Sequence, residues 1–330
     1  MTEREKNKFE RMADTFRRNF RVTRLYAGYL ETCPKAITKE MIDTLTEDGD
    51  LSREVAIGAL LSEIFGLSFD VAEDRRIIMD YITPSIRLLD TKKYTDNPYY
   101  KNISLESRTL GNWEIRKEKY EPYQAVICDD MIIGEDFTEI PPIGFFDEEF
   151  HFPAILENGN EWMTLTPVDL DTCEEAIAAA RGRVVTFGLG LGYYAYMAAE
   201  KDEVESVTVV ELAEDVIKLF KTYILPQMKN GHKINIVKND AFEYAEKIMP
   251  SENFDVAFVD TWRDASDGAP MYSRMKALEH LSPNTEFIYW VEGFLRSRLR
   301  AERFSEIFDR YERGELDIEC KEIEETIRKI

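Results

Sequence analysis

No stretch of the chain holds the ~18 consecutive apolar residues that a membrane span needs. The opening residues, MTEREKNKFERM, are charged and contain no apolar core, so no secretory leader is expected in them. Cysteine is sparse, with four residues (Cys33, Cys128, Cys173, Cys320) and no C-x-x-C pair. Scattered thiols suit a reducing cytoplasm and argue against a disulfide framework or a zinc ribbon. The three histidines, His151, His232 and His280, are too far apart in sequence to suggest a metal cluster, and no metal is expected. Basic charge is also short, with 42 Lys and Arg against 64 Asp and Glu, a net charge of −22. Phosphate-backbone binding needs a basic face, so this balance disfavours a nucleic-acid partner. The short arginine groups at Arg17, Arg18 and Arg21 and at Arg296, Arg298 and Arg300 read as solvated helix faces. Such acidity fits a small or cationic substrate better.

What is present divides the 330 residues into three stretches. Residues 1–95 read as helical. Phe9, Met12, Phe16, Phe20 and Leu25 fall roughly on one helical face. Thr38 opens a second helix, and Asp50 or Ser52 can cap the apolar run 55–65. Residues 77–89 are a further helix candidate, interrupted at Pro84. Residues 96–168 read as a small β region, because tyrosines, β-branched residues and turn signals take over. Asn158-Gly159 between two β-prone runs is a two-residue hairpin signal.

From residue 169 to 330 the rhythm is α/β. Strands are expected at 184–187, 206–210, 233–237, 255–259 and 286–291. Helices fall between them, the first of these regions opening with a helix capped at Asp171 or Thr172. A last helix is expected at 294–311. This alternation predicts a Rossmann-like parallel sheet with helices on both faces, and such sheets bind ligands at the carboxyl ends of their strands.

Four features stand in order at predicted strand ends. The run 184–187 leads into Gly188-Leu189-Gly190-Leu191-Gly192, where glycines let backbone pass close to a ligand. Glu211 ends the next strand, where a carboxylate can hold two ribose hydroxyls. Asp240-Ala241 closes the third, where a side chain can accept from an adenine amino group. Asp260 ends the fourth, where the reacting end of a ligand should lie. Gly190, Gly192 and Ala195 also satisfy the G-x-G-x-x-A spacing of dinucleotide sites. That pattern does not by itself call for Asp240-Ala241, so the full series favours an adenosyl sulfonium ligand over NAD.

Residues 183–262 resemble class I S-adenosylmethionine-dependent methyltransferases. Within that superfamily they are most similar to the spermidine synthase group of aminopropyltransferases. The resemblance is carried by Val209-Val210-Glu211-Leu212, Asp215-Val216-Ile217, Leu225-Pro226, Asn239-Asp240-Ala241-Phe242-Glu243-Tyr244 and Phe254-Asp255-Val256-Ala257-Phe258-Val259-Asp260. It implies that Gly188, Gly190, Gly192, Glu211, Asp240 and Ala241 bind the cofactor. It also implies that Asp260 faces the substrate. Tyr123-Gln124 resembles a Tyr-Gln pair of the same group. The chain departs from that group in three places. Its loop lacks the usual Gly-Gly-Gly-Asp-Gly, Thr186 stands where many methyltransferases have an acid, and Asp260 and Asp264 are four residues apart rather than three.

Four functions follow as expectations, in order. The first is methyl transfer from S-adenosylmethionine to a small-molecule acceptor, an amine among the candidates. Asp260 would be the catalytic residue, with Tyr193, Trp262, Asp264 and Glu292 near the acceptor. The second is aminopropyl transfer from decarboxylated S-adenosylmethionine to a polyamine, for which Asp260, Asp264 and Asp267 would attract the cation. The third is a non-catalytic S-adenosylmethionine-binding module whose helical N-terminal region docks a partner. An NAD-linked oxidoreductase comes last, because no base pattern supports it. A cytoplasmic location is expected, and the chain could form a homo-oligomer.

Overall fold

The computed structural model describes residues 2–263, 265–316 and 319–330. Contacts divide the chain into two compact units. One comprises residues 1–89, 121–148 and 292–330, and the other residues 90–120 and 149–291. This division differs from the linear one at 95/96 and 168/169 expected from composition. The reason is packing, since residues 292–330 return to the helices at the start of the chain. Phe304, Ile307, Cys320, Ile323 and Ile327 share a buried core with Phe9, Met12, Ala13 and Phe16. Phe16 stacks on Phe304 with ring centroids 4.1 Å apart.

The first unit is built on the 30-residue helix Glu3–Thr32, which starts at a reciprocal capping box between Thr2 and Glu5. Its first half packs in the core just described. Its second half packs through Val22, Tyr26 and Tyr29 against Ile57, Leu61, Tyr81 and Ile82. The buried stripe therefore drifts around the helix between two different partners. Phe20, expected on that stripe, is 65% exposed in consequence. Thr38 and Ser52 cap the helices Lys39–Thr46 and Arg53–Ile64 as the sequence suggests.

Residues 77–89 differ from expectation. The helix ends in the Thr83–Ser85 turn, and Ile86–Leu89 becomes a strand parallel to Ile143–Phe146. Pro84 has no N–H to donate and restricts the residue before it, so the helical register stops there. The helix Glu292–Glu312 closes this unit, with Asp130 accepting from the Gly293 and Phe294 N–H groups at its start.

The second unit opens with the short helices Thr91–Thr95 and Pro98–Asn102, followed by four antiparallel strands in the order Arg108–Leu110, Trp113–Tyr120, Phe150–Glu157, Asn160–Thr164. The last two form the hairpin expected at Asn158-Gly159, both of which have φ above zero. Next come the short helices α1 (Pro167–Asp171) and α2 (Glu174–Ala179). The helix expected from a cap at Asp171 or Thr172 through Ala180 is α2, whose N-cap is Cys173, whereas α1 was not expected. Thr166 is the N-cap of α1, in a reciprocal capping box with Asp169.

The parallel sheet follows, as predicted. Its strands are β1 (Gly182–Phe187), β2 (Val204–Glu211), β3 (Ile234–Lys238), β4 (Val256–Val259) and β5 (Glu286–Tyr289), in the spatial order β3-β2-β1-β4-β5. This is the doubly wound Rossmann-like arrangement. Strands β1, β2 and β4 are near-continuous buried runs of Val, Ala, Thr and Phe, as expected for a sheet covered on both faces. The order reverses on either side of β1, so the crevice for a ligand lies beyond the carboxyl ends of β1 and its neighbours. Among the described residues the sheet has five strands and no antiparallel pair completing seven. No described helix is long and apolar enough to cross a membrane.

Candidate functional site

A cavity of about 680 Å³ opens at that switch point. Each strand end contributes to its wall. After β1 the backbone turns at Gly188, whose φ is +102°. The Phe187 carbonyl accepts from the Asp260 N–H at 2.8 Å, and the Val210 carbonyl accepts from the Gly188 N–H at 2.9 Å. A Cβ on Gly188 would lie 1.9 Å from the Asp260 carbonyl oxygen, so only glycine lets the two strand ends meet here. Gly190, at φ +59°, has the Met163 side chain and the Gly192 backbone nitrogen within ordinary contact of its missing Cβ. It lines the cavity.

Gly192 has a different job. It is the N-cap of α3 (Tyr193–Ala199), and a Cβ there would lie 2.1 Å from the Phe220 ring. It is not among the residues lining the cavity, unlike Gly188, Gly190, Glu211, Asp240, Ala241, Asp260, Trp262 and Tyr193.

Glu211 ends β2, and backbone donors hold its carboxylate. Oε2 accepts from the Leu189 N–H at 3.0 Å, and Oε1 accepts from the Ala213 N–H at 2.7 Å. The glycine loop and this carboxylate therefore brace each other. Each oxygen keeps a further lone pair for a ligand hydroxyl. Asp240 is the N-cap of α4 (Ala241–Lys247). Its Oδ1 accepts from the Phe242 and Glu243 N–H groups at 3.0 and 2.9 Å. That leaves Oδ2 as the oxygen for any ligand donor. Tyr193 contributes its ring to the wall, and its hydroxyl accepts from Asn97 Nδ2 at 3.0 Å.

Asp260 stands at the end of β4. Among the described residues its carboxylate accepts no hydrogen bond. Burial, then the nearby charges of Asp169 and Glu211, push its pKa up to about 8. Asp169 is raised to about 6, mainly by burial, with its bonds to Thr166 partly offsetting the rise. Cys173 lines the same cavity, and burial followed by the charges of Asp260 and Asp169 raises its thiol pKa further. Trp262 is 5% exposed, and its indole N–H has no partner among the described residues. Its ring lies nearly parallel to that of Tyr289, 6.4 Å away. At the outer side, Trp162 is 39% exposed and meets Trp113 edge-on.

The sequence reading missed Asp169, Cys173, Trp162, Met163 and Trp290. The Thr166-x-x-Asp169 capping spacing could have revealed the first of these. Asp264 lies outside the described residues. Glu292, Tyr123 and Gln124 belong to the first unit and are not among this cavity's lining residues. Among the described residues, no three His, Cys, Asp or Glu side chains are grouped to hold a metal ion.

Residues 190–279 match the spermine/spermidine synthase domain family. The matched segment runs from the glycine loop past β4 and so carries most of the cavity wall. The match corrects the order of functions read from the motifs, which placed methyl transfer first. The family found is that of the aminopropyltransferase alternative, and the methyltransferase reading is withdrawn. No curated relative matches the chain by sequence. Among solved structures, the chain is similar to the spermidine synthase of Thermotoga maritima. That pair shares 16% identity at a TM-score of 0.33, over 61% of this chain and 62% of that one. A spermidine synthase in complex with the transition-state analogue AdoDATO is similar at 16% identity and a TM-score of 0.35, over 61% and 64%. The chain spans less than two thirds of either neighbour's length. The fold assignment rests on the strand order of this chain's own sheet.

Proposed function

We propose that the cavity binds decarboxylated S-adenosylmethionine and that the chain transfers its aminopropyl group to an amine. The carrying observation is electrostatic. Glu211, Asp169 and Asp260 converge on one cavity whose sole lining cation among the described residues is Arg263. Arg263 has a side chain 79% exposed and is paired with Asp267. A ligand carrying a sulfonium and an ammonium supplies the missing positive charge. An intact methionine carboxylate would add a further anion beside Asp260. The family match over 190–279 supports the same reading.

In this reading Glu211 receives the ribose hydroxyls, and the loop 188–191 passes under the sulfur. Asp240 and Ala241 border the adenine. The acceptor nitrogen attacks the propyl carbon bonded to sulfur. The N–C bond forms as the C–S bond breaks, and the electron pair stays on sulfur, giving neutral methylthioadenosine. The new secondary ammonium releases one proton, which Asp260 can take. A carboxylate raised to about 8 is a far better proton acceptor than an ordinary one. The remaining contribution is alignment in a site that excludes water, since the sulfonium is already a strong electrophile.

The binding half of this proposal is tested by calorimetric titration with decarboxylated S-adenosylmethionine, S-adenosylmethionine, S-adenosylhomocysteine and NADH. The expected result is tightest binding of the decarboxylated form. Binding of NADH alone would overturn the reading.

A further inference from the structure

Asp169 lies four residues after Leu165, just past the end of the β hairpin and before β1. Nothing in the local pattern of residues places it with Asp260. The fold brings both to one cavity, where the charge of Asp169 helps to raise the pKa of Asp260. Thr166 locks Asp169 in place, since its N–H and its hydroxyl both donate to Oδ2, at 2.7 and 2.8 Å. No other residue among those described donates to Oδ1. The N3 position of a capping box needs only a side-chain acceptor for the N-cap N–H, and a neutral amide such as Gln serves there as well as a carboxylate, so that role alone does not need a charge. Keeping an ionisable carboxyl here, in a desolvated wall and next to a second one, is costly unless something cationic occupies the space between. A second observation points to a ligand in the same cavity. The Trp262 indole N–H and the Tyr194 hydroxyl are 95% and 94% buried in the cavity wall and have no hydrogen-bond partner among the described residues. Buried polar groups of this kind are normally satisfied, the indole N–H by a ligand acceptor and the tyrosine hydroxyl by either a donor or an acceptor, and an aminoalkyl nucleoside carries both.

We infer that Asp169 is a second ligand-binding carboxylate, which holds the primary ammonium end of the decarboxylated donor and leaves Asp260 to the acceptor amine. This inference rests on the aminopropyl-transfer reading. It assigns the two carboxylates separate tasks. Asp169, fixed by Thr166, positions the donor's arm. Asp260, whose carboxylate accepts no hydrogen bond among the described residues, is free to take a proton.

The test compares two nucleosides that differ only by the arm. Decarboxylated S-adenosylmethionine carries the ammonium and the sulfonium, whereas methylthioadenosine carries neither. Both are titrated into the full-length parent, Asp169→Asn and Asp169→Glu. An asparagine oxygen can still accept both Thr166 bonds, so Asp169→Asn removes charge and keeps the cap. The expected result for Asp169→Asn is a loss of about 10- to 100-fold in affinity for the decarboxylated donor, the range of a charge-assisted hydrogen bond. Affinity for methylthioadenosine should stay within about twofold, the change expected where no bond is lost. Asp169→Glu keeps both charge and capping box and should retain most of the preference for the donor. Equal losses for the two nucleosides in Asp169→Asn would reduce Asp169 to a structural cap and overturn the inference, and so would no change for either. Failure of the parent to bind methylthioadenosine would instead overturn the adenosyl site itself. Should Asp169→Asn not fold, loss of the donor preference in Asp169→Glu would count against the inference and retention would support it.

Discussion

Asp260 should make the empty protein less stable as pH rises. In the unfolded chain its carboxyl ionises near the ordinary 3.8, whereas in the folded state it keeps its proton up to about 8. Between those values the native state binds a proton that the unfolded chain has released. Stability contributed by this group is therefore complete below pH 3.8 and is lost progressively as pH rises through about 8. The full displacement corresponds to about 5 to 6 kcal/mol at ~1.4 kcal/mol per pH unit. Asp260 sits on a cavity wall that water reaches, so the observable part should be about 2 to 4 kcal/mol between pH 5 and pH 8.5. Asp260→Asn keeps the size of the side chain and removes the titration. The assay is urea unfolding of parent and variant at both pH values, followed by tryptophan fluorescence. All four tryptophans (Trp113, Trp162, Trp262, Trp290) lie in the second unit, so the signal reports the unit that holds the cavity. The parent should lose stability relative to the variant as pH is raised, even though the variant has lost its proton acceptor. Parallel pH dependence of the two proteins would refute the argument that Asp260 is a desolvated, unpartnered carboxyl.

Other perturbations follow from the same geometry. Turnover should rise with pH and level off near or below 8, because Asp260 must be ionised to take a proton and a cationic ligand lowers its pKa; a flat pH–rate profile from 6 to 9 would argue against that role. Gly190→Val should abolish nucleoside binding while costing about 1 to 3 kcal/mol of stability, since a β-branched residue is strained at φ +59°; circular dichroism and calorimetry check the two halves. Glu211→Ala removes the anchor of the Leu189 and Ala213 N–H groups along with the ribose contact. It should weaken methylthioadenosine binding by about 10-fold or more. Phe304→Ala empties the ring stacked on Phe16 and should destabilise the first unit by about 3 to 5 kcal/mol, read by urea unfolding monitored by circular dichroism.

The parallel sheet was legible in the sequence because its strands are short, bounded apolar runs whose ends carry the glycines and acids. Local pattern was enough there. It was not enough where long-range packing decides the outcome. Phe20 fits a helical stripe by spacing, yet the helix changes partners halfway and leaves it in solvent. Residues 294–311 read as a helix and lie in one, Glu292–Glu312, but nothing local shows that it packs against Phe9 and Phe16 instead of the sheet. The site was partly readable for the same reason. Glu211, Asp240 and Asp260 follow strands in sequence, so their place at the crevice follows from the topology. Asp169 precedes β1 on a short helix that the sequence pattern did not mark, and its neighbourhood with Asp260 exists only in three dimensions. Gly192 has the right spacing for a ligand loop, but its contact with Phe220 makes it a packing glycine.

The most direct test of the central claim is to incubate the protein with decarboxylated S-adenosylmethionine and a primary diamine and to quantify nucleoside and amine products together. The account predicts methylthioadenosine and aminopropylated amine in equal amounts, abolished in Asp260→Asn. Release of S-adenosylhomocysteine from S-adenosylmethionine, with no methylthioadenosine from the decarboxylated donor, would contradict it.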